Sequence, residues 1–125
     1  DIARVLLAHN ADPNRALSAD GATPMHAAAQ HGHVDVVTVL LAHNADPNKA
    51  RTVDGATPLY AAAAKGYVDI ARVLLGHNAD PNKATTDNGA TPMYMAAENG
   101  HVDVVKLLLI SKHLLCLSIH YPYIK

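Results

Sequence analysis

The chain has 125 residues, of which half are hydrophobic, and its formal net charge at neutral pH is −1. A nucleic-acid-binding surface is excluded by this balance, because it would need a clear excess of lysine and arginine. The one cysteine, Cys116, cannot form an internal disulfide. We therefore expect a reducing compartment and a cytoplasmic or otherwise intracellular location.

The first predicted element is half of a larger unit. Residues 1–14 read DIARVLLAHNADPN and match residues 69–82 at every position except Ala8. They predict a helix and a turn without the helix that precedes this pair later in the chain. We predict a partial repeat over residues 1–19, and the simplest account is an array that continues upstream of Asp1.

A complete unit follows and is then repeated. Residues 20–53 and 54–87 are identical at 23 of 34 positions, and a third unit begins at Asn88. A constant period of this length predicts a stack of small units, each in contact only with its neighbours. We predict repeats at residues 20–53, 54–87 and 88–113. Repeats this similar are typical both of an engineered scaffold and of a recently duplicated gene.

Two helices are predicted in each unit. In the first complete unit, Thr23 is a good N-cap and Pro24 suits the first helical position, where no backbone donor is needed. Gly32 is predicted to end this helix in the left-handed conformation. The second helix has an apolar stripe that begins at Val34, and Asn44 is predicted to end it with another left-handed residue.

The residues between units predict a projecting loop. Asp46, Pro47 and Asn48 favour turns, and proline can neither extend a helix nor donate to a strand ladder. Residues 48–55 are therefore predicted to form an extended turn or a short β-hairpin that projects toward the next unit.

A short signature opens the first helix of every unit. It reads TPMHAA from Thr23, TPLYAA from Thr57 and TPMYMA from Thr91. Together with the helix ends and turns, it resembles the ankyrin repeat, whose signature is T-P-L-H-x-A. The resemblance covers residues 1–109 and implies an all-α ankyrin-repeat solenoid. Its units would be stacked helix–turn–helix pairs with projecting β-hairpin or turn loops.

This sequence departs from the family pattern in two ways that matter here. The period is 34 residues rather than 33, with the extra residue between Asn48 and Gly55. Tyr60 and Tyr94 also replace the histidine of the signature. The resemblance implies that this histidine bonds the backbone of an adjacent unit, so that bond is in doubt at both tyrosines.

The chain ends differently from the repeats. From Ile110 the turn residues disappear, and we predict a divergent cap or tail over residues 114–125, with a helix that could run toward Pro122. A helix for a specific partner and a truncated or read-through terminus are the alternatives. A homodimer through residues 110–125 would also cover the apolar groups. The stretch is too short to span a membrane, which needs about 20 apolar residues.

No catalytic or metal-binding pattern is present in the sequence. His9, His43 and His77 recur with the period, and neighbouring rungs of a stack are about 8–10 Å apart, which is too far to share one zinc ion. The candidate nucleophiles lack the signatures of known hydrolases, and no phosphate-binding glycine loop occurs. These nucleophiles are Ser18, Ser111, Cys116 and Ser118. We expect no metal, no cofactor and no enzymatic activity.

The positions that vary between units are the candidates for partner binding. They lie near the end of each first helix and at the loop tips, which the resemblance places on the concave face of the array. These residues are Gln30, His31, Arg51, Thr52, Val53, Lys65, Thr85, Thr86, Asp87, Glu98 and Asn99. Tyr60 and Tyr94, with His26, could add an aromatic strip. The alternatives are drift at solvated positions and packing against the neighbouring helix.

The sequence therefore predicts a module that binds another protein through its concave face and loop tips, without catalysis. A structural spacer or targeting segment of a larger multidomain protein is the alternative, as is self-association through the apolar C-terminal stretch. If the concave face binds a partner, Arg51→Glu with Lys65→Glu should weaken binding and leave thermal unfolding unchanged.

Overall fold

The computed structural model describes residues 12–16 and 19–120, with side chains through Ser111. The helix predicted at the start of the chain, the loop tip at residues 17–18 and the end of the tail lie outside the described residues. Six helices and no strand occur in the part that is described. They are α1 (Pro24–Gln30), α2 (Val34–Ala42), α3 (Pro58–Lys65), α4 (Val68–Gly76), α5 (Pro92–Glu98) and α6 (Val102–His120).

The first helix of each pair begins as predicted. The hydroxyls of Thr23, Thr57 and Thr91 accept hydrogen bonds from backbone N–H groups three residues later, at 3.3, 3.1 and 3.2 Å. A proline follows each threonine at the first helical position. Because the orphan donors of the first turn are satisfied locally, each helix starts at the same point of its unit.

Left-handed residues end the helices where the sequence predicted them. Gly66 caps α3 with φ of 78°, and Gly32 and Gly100 have φ of 79° and 76° at the equivalent positions. After the second helices, Asn44 and Asn78 have φ of 66° and 70°. These residues reverse the chain within two or three positions, so the two helices of each unit pack against one another.

The helix pairs stack along the chain. Helix α1 packs on α3 and α3 on α5, while α2 packs on α4 and α4 on α6. The core repeats with the same period, since Leu40, Leu74 and Leu108 are all buried. Small residues between the first helices, such as Ala62 and Ala96, are fully buried and allow a close approach. The observed architecture confirms the predicted all-α stack.

The loops between units are turns that bond to the loop of the preceding unit. Within one loop, the Arg51 N–H donates to the Ala56 carbonyl and the Gly55 N–H donates to the Arg51 carbonyl, both at 2.8 Å. Between loops, the Val53 N–H donates to the carbonyl of Asp20 at 3.3 Å, and the Thr86 N–H donates to that of Asp54 at 2.8 Å. Of the two predicted forms, the structure has the turn.

The last helix is longer than its equivalents. By the period, α6 would end at Ile110, as α2 ends at Ala42 and α4 at Gly76, but it continues to His120. The predicted boundary at residue 113 therefore falls inside a continuous helix. Among the described residues, no helix is long and apolar enough to cross a membrane.

Two equivalent glycines provide a test of stacking. A Cβ on Gly66 would lie 2.5 Å from Nδ1 of His101 in the next unit, whereas no described atom outside the adjacent residues lies within 4 Å of a Cβ on Gly100. Both residues are left-handed, so alanine should cost about 1 kcal/mol at either site. Gly66→Ala should cost about 1 kcal/mol more, because His101 would lose its contact with the Ala64 carbonyl at 3.1 Å. Urea unfolding measures both losses, and equal values would contradict this packing.

Candidate functional site

A small pocket lies between two successive first helices. It has a volume of about 110 Å³ and is bounded by α1, α3 and the loop that precedes α3. We call it the interhelix pocket. Its lining residues are His26, Gln30, Arg51, Ala56, Tyr60, Ala61, Ala64 and Lys65. Since these residues come from two units, the pocket exists only where units are stacked.

The interhelix pocket brings together four of the residues that the sequence singled out. Gln30 comes from the end of α1, Arg51 from the loop, and Tyr60 and Lys65 from the two ends of α3. His26, placed beside the tyrosines in the sequence analysis, lines the same pocket. Helix stacking and loop folding bring these separated positions into one place.

Arg51 connects two successive loops. Its Nε donates to Asp54 Oδ1 at 3.2 Å, Nη2 pairs with Asp54 Oδ2, and Nη1 lies 3.7 Å from Asp20 Oδ2. The hydrogen bond that Arg51 donates to Asp54 raises the pKa of Arg51, and the same bond lowers the pKa of the Asp54 carboxyl. Arg51→Glu would break these pairs, so we expect it to lower stability, contrary to the sequence-based expectation of unchanged unfolding.

The tip of the loop before α3 holds the preceding unit. Thr52 Oγ1 donates to the Asp20 carbonyl at 3.2 Å, and the Thr52 side chain leaves no room for a Cβ at Gly21. Val53 is 64% exposed. Of these two predicted partner residues, Thr52 therefore contributes to stacking, while Val53 presents apolar surface to solvent.

In the next loop, one predicted partner residue is buried. Thr85 is 6% exposed; its hydroxyl donates to Asn88 Oδ1 at 2.8 Å and accepts from the Ala90 N–H at 3.2 Å. This side chain therefore belongs to the interior of the loop rather than to its exposed surface, and its role in partner binding stays a prediction. Thr86 and Asp87 are exposed, and Asp87 accepts a bond from the Asn88 N–H.

The helix-end candidates differ in what they contact. His31, Lys65 and Glu98 are exposed, whereas the exposed Asn99 donates from Nδ2 to the Ala64 carbonyl at 2.9 Å. Asn99 therefore joins the third unit to the second. His101 meets the same carbonyl, a contact that the sequence analysis missed. The sequence carries a signal for this contact, because an aromatic ring occurs at this position in each unit that has both helices: His33, Tyr67 and His101.

The two signature tyrosines have different environments. Tyr60 is half-buried, and its pKa is raised by burial and then by the charges of Asp87, Asp54 and Glu98. Tyr94 is 60% exposed and borders a wider depression of about 400 Å³ at the loop of the third unit. The alternative of packing beside a neighbouring helix therefore suits Tyr60 better than Tyr94.

His26 is the most unusual group in the interhelix pocket. It is 2% exposed, and neither Nδ1 nor Nε2 has a hydrogen-bond partner among the described residues. The backbone bond that the resemblance implies for this histidine is therefore not formed there. Burial lowers the pKa of His26, and so does Arg51, while Asp54 and Asp20 act in the opposite direction. At neutral pH, the neutral imidazole is thus the favoured form of His26.

The candidates for chemistry show no further assembly among the side chains of residues 12–16 and 19–111. In this part of the chain, no group of three or more histidine, cysteine, aspartate or glutamate residues could hold a metal ion. Ser111 lies on α6, and Ser18, Cys116 and Ser118 fall outside the described side chains.

A comparison with protein families identifies the class. The model for ankyrin repeats (three copies) matches residues 1–51 and 48–116 of this chain. The chain therefore belongs to the ankyrin-repeat family. Ankyrin repeats are generally protein–protein interaction modules, and the family is generally non-catalytic. No curated protein gives a significant match to the chain.

The Arg51–Asp54 pair should stabilise the stack at neutral pH. Asp54→Asn keeps an acceptor for the Ala56 N–H, as Asn88 does for Ala90, but removes the charge. We expect a loss of about 1 kcal/mol at pH 7. Because the folded pKa of Asp54 is lowered, this stabilisation is present above the unfolded pKa of about 3.9 and is lost as the pH falls through the folded pKa.

Urea unfolding of wild type and Asp54→Asn at pH 7 and pH 3 measures this difference. Asp87→Asn is the matched control, since Asp87 also bonds a backbone N–H but forms no ion pair with any described residue. If Asp54→Asn lowers the free energy of unfolding as much at pH 3 as at pH 7, the stabilisation does not come from the charged Asp54 carboxylate.

His26 should make the stack less stable in mild acid. Because its folded pKa is lowered, the unfolded chain binds a proton first, and stability falls as the pH drops from about 6.5 toward the folded pKa. We expect a loss of up to about 1 kcal/mol between pH 7 and pH 5.5. His26→Gln should reduce this loss of unfolding free energy between pH 7 and pH 5.5, which urea unfolding at both pH values measures. An equal loss in wild type and His26→Gln would exclude His26 as the source of the pH dependence.

Proposed function

We propose that the chain binds another protein through the surface formed by the first helices and the inter-unit loops, without catalysis. By the family resemblance this surface is the concave face. The observation that carries the proposal is the interhelix pocket, where Gln30, Arg51, Tyr60 and Lys65 meet. The types at Gln30, Arg51 and Lys65 differ from unit to unit, and Tyr60 has a histidine as its equivalent in the preceding unit. The residues shared by all units form the core, the caps and the turns.

The division between shared and variable residues favours recognition over drift. The caps and core are accounted for by folding, as for Thr57 and Leu74, which are buried. Gln30, Tyr60 and Lys65 are not needed for a cap or turn, yet they line one pocket. Tyr94 and Val53 add exposed apolar area. Tyrosines of this kind often dominate the binding energy of an interface.

The rigidity of the surface also supports binding. Each unit is held to the next by helix packing and by bonds between loops, including the Asp80 N–H to Asn48 Oδ1 at 2.7 Å. A preformed surface loses little conformational entropy on association. The family's general role in protein–protein interaction is consistent with this mechanism.

A capture experiment tests the proposal. Lys65→Glu with Tyr94→Ala changes two exposed side chains of this surface, and Arg72→Ser changes an exposed cation on α4 as the control. Proteins from the native source that bind wild type should be retained by Arg72→Ser and lost by the double variant. We expect at least a tenfold weaker Kd, with an unchanged thermal midpoint, since each anchor contributes about 1 kcal/mol or more.

Equal retention by the double variant would contradict the proposed surface. So would the loss of the same proteins from Arg72→Ser, because that residue lies on the second helix of its unit.

A second proposal is self-association along α6. Val102, Leu109 and Ile110 on this helix are exposed, whereas Val34 and Val68, the equivalents of Val102, are partly buried. Two copies that pack along these residues would cover them. Sizing the chain with and without residues 114–125 tests the idea, and a monomer in both cases removes it.

A role as a structural spacer or targeting segment of a larger protein stays a proposal, and so does the intracellular location.

A further inference from the structure

The interhelix pocket is rich in hydrogen-bond donors. Its five polar side chains are His26, Gln30, Arg51, Tyr60 and Lys65, and each of them can donate. No carboxylate is among its lining residues in the described part of the chain. A ligand group that only accepts hydrogen bonds, and carries negative charge, would therefore match it best.

The charge balance around the pocket leaves one unmatched cation. Arg51 is paired with Asp54 and lies near Asp20, so its charge is largely offset. Lys65 is exposed and forms no ion pair with any described residue. An anion bound beside Lys65 would therefore form an ion pair that no described carboxylate forms with this lysine.

His26 is an independent indication of a ligand. A buried polar group without a partner costs free energy, and here both imidazole nitrogens are unsatisfied. The charged groups that act on the ring are Arg51, Asp54 and Asp20, and Lys65 shares its pocket. A ligand oxygen within reach would accept the imidazole N–H and remove this cost.

We propose that the interhelix pocket binds one side-chain carboxylate, from an aspartate or glutamate of the protein partner. The inference rests on the proposed function, because the carboxylate must be presented by a polypeptide lying across the first helices. In the bound state, Lys65 provides the attraction, and His26 and Tyr60 donate hydrogen bonds. The pocket volume of about 110 Å³ suits the end of one side chain.

The neighbouring unit restricts the partner to few acidic residues. Asp87 and Glu98 are exposed carboxylates that act on Tyr60 from the third unit. They would repel a continuous acidic run. The surface therefore selects a single acidic side chain rather than a highly acidic segment.

Carboxylate binding is linked to protonation of His26. A bound anion favours the imidazolium over the neutral ring, so the complex takes up protons and the affinity rises as the pH falls below neutral. Loss of this pH dependence on substitution of His26 therefore separates this site from a nonspecific surface interaction.

An NMR titration of the full chain with a minimal probe tests the proposal. The probe is acetyl-glutamate amide, which has one carboxylate, and acetyl-glutamine amide is its uncharged match. We expect millimolar binding with shifts centred on Ala56, Ala61 and Lys65, and at least fivefold weaker binding of the glutamine probe. Lys65→Gln should weaken glutamate binding at least fivefold, and the exposed control Lys83→Gln should leave it unchanged.

The same titration at two pH values tests the role of His26. Wild type should bind the glutamate probe at least twofold more tightly at pH 6.0 than at pH 7.5, and His26→Gln should remove this difference. Lys65→Gln alters an exposed side chain, so it carries the test even if His26→Gln does not fold. Equal binding of the two probes, or no effect of Lys65→Gln, would overturn the proposal.

Inorganic phosphate distinguishes a phosphoryl ligand from a carboxylate. If phosphate saturates the pocket at a tenfold lower concentration than the glutamate probe, the carboxylate assignment is wrong. The probes need no protein partner. If the probes do not bind, but capture of partner proteins still depends on Lys65 and Tyr94, only this inference is rejected. Probe binding without surface-dependent capture rejects the proposed function and retains the pocket.

Discussion

The structure depends on the burial of each unit's apolar face against the next unit. In the central unit, Leu59 and Leu74 are fully buried by neighbours on both sides. The effect of losing a neighbour is visible within the chain: Tyr60 is half-buried and Val68 is partly buried, but the equivalent Tyr94 and Val102 of the third unit are about 60% exposed. Equivalent positions thus differ in burial with the described units that stack on them, as expected for an array with nearest-neighbour stabilisation.

Stacking also creates the candidate site. No single unit contains the interhelix pocket, because α1 supplies His26 and Gln30 while the loop and α3 of the next unit supply the rest. Arg51 shows how the two roles combine, since it pairs with Asp54 in its own loop, lies 3.7 Å from Asp20 of the preceding loop and also lines the pocket. In the proposed binding surface, a change at Arg51 would therefore affect both stability and binding, whereas a change at Lys65, which is exposed and forms no ion pair with any described residue, would affect binding alone.

Local rules predicted the fold well, because the signals are local. The threonine caps, the glycine ends and the left-handed Asn44 and Asn78 follow from short-range chemistry and were confirmed. The candidate site was less predictable. The burial of Thr85 depends on its bond to Asn88, and the isolation of His26 depends on the neighbouring unit. The period alone would end α6 at Ile110, but the loss of the turn residues there predicted a longer helix, and α6 continues to His120.

The most direct test of the central claim is the circular dichroism of residues 54–87 as an isolated peptide, beside that of the full chain. If the units are stabilised only by their neighbours, the peptide will lack a helical spectrum and a cooperative melt, while the full chain shows both. A monomeric peptide that is helical and melts cooperatively would show that one unit is stable alone, and would contradict the account.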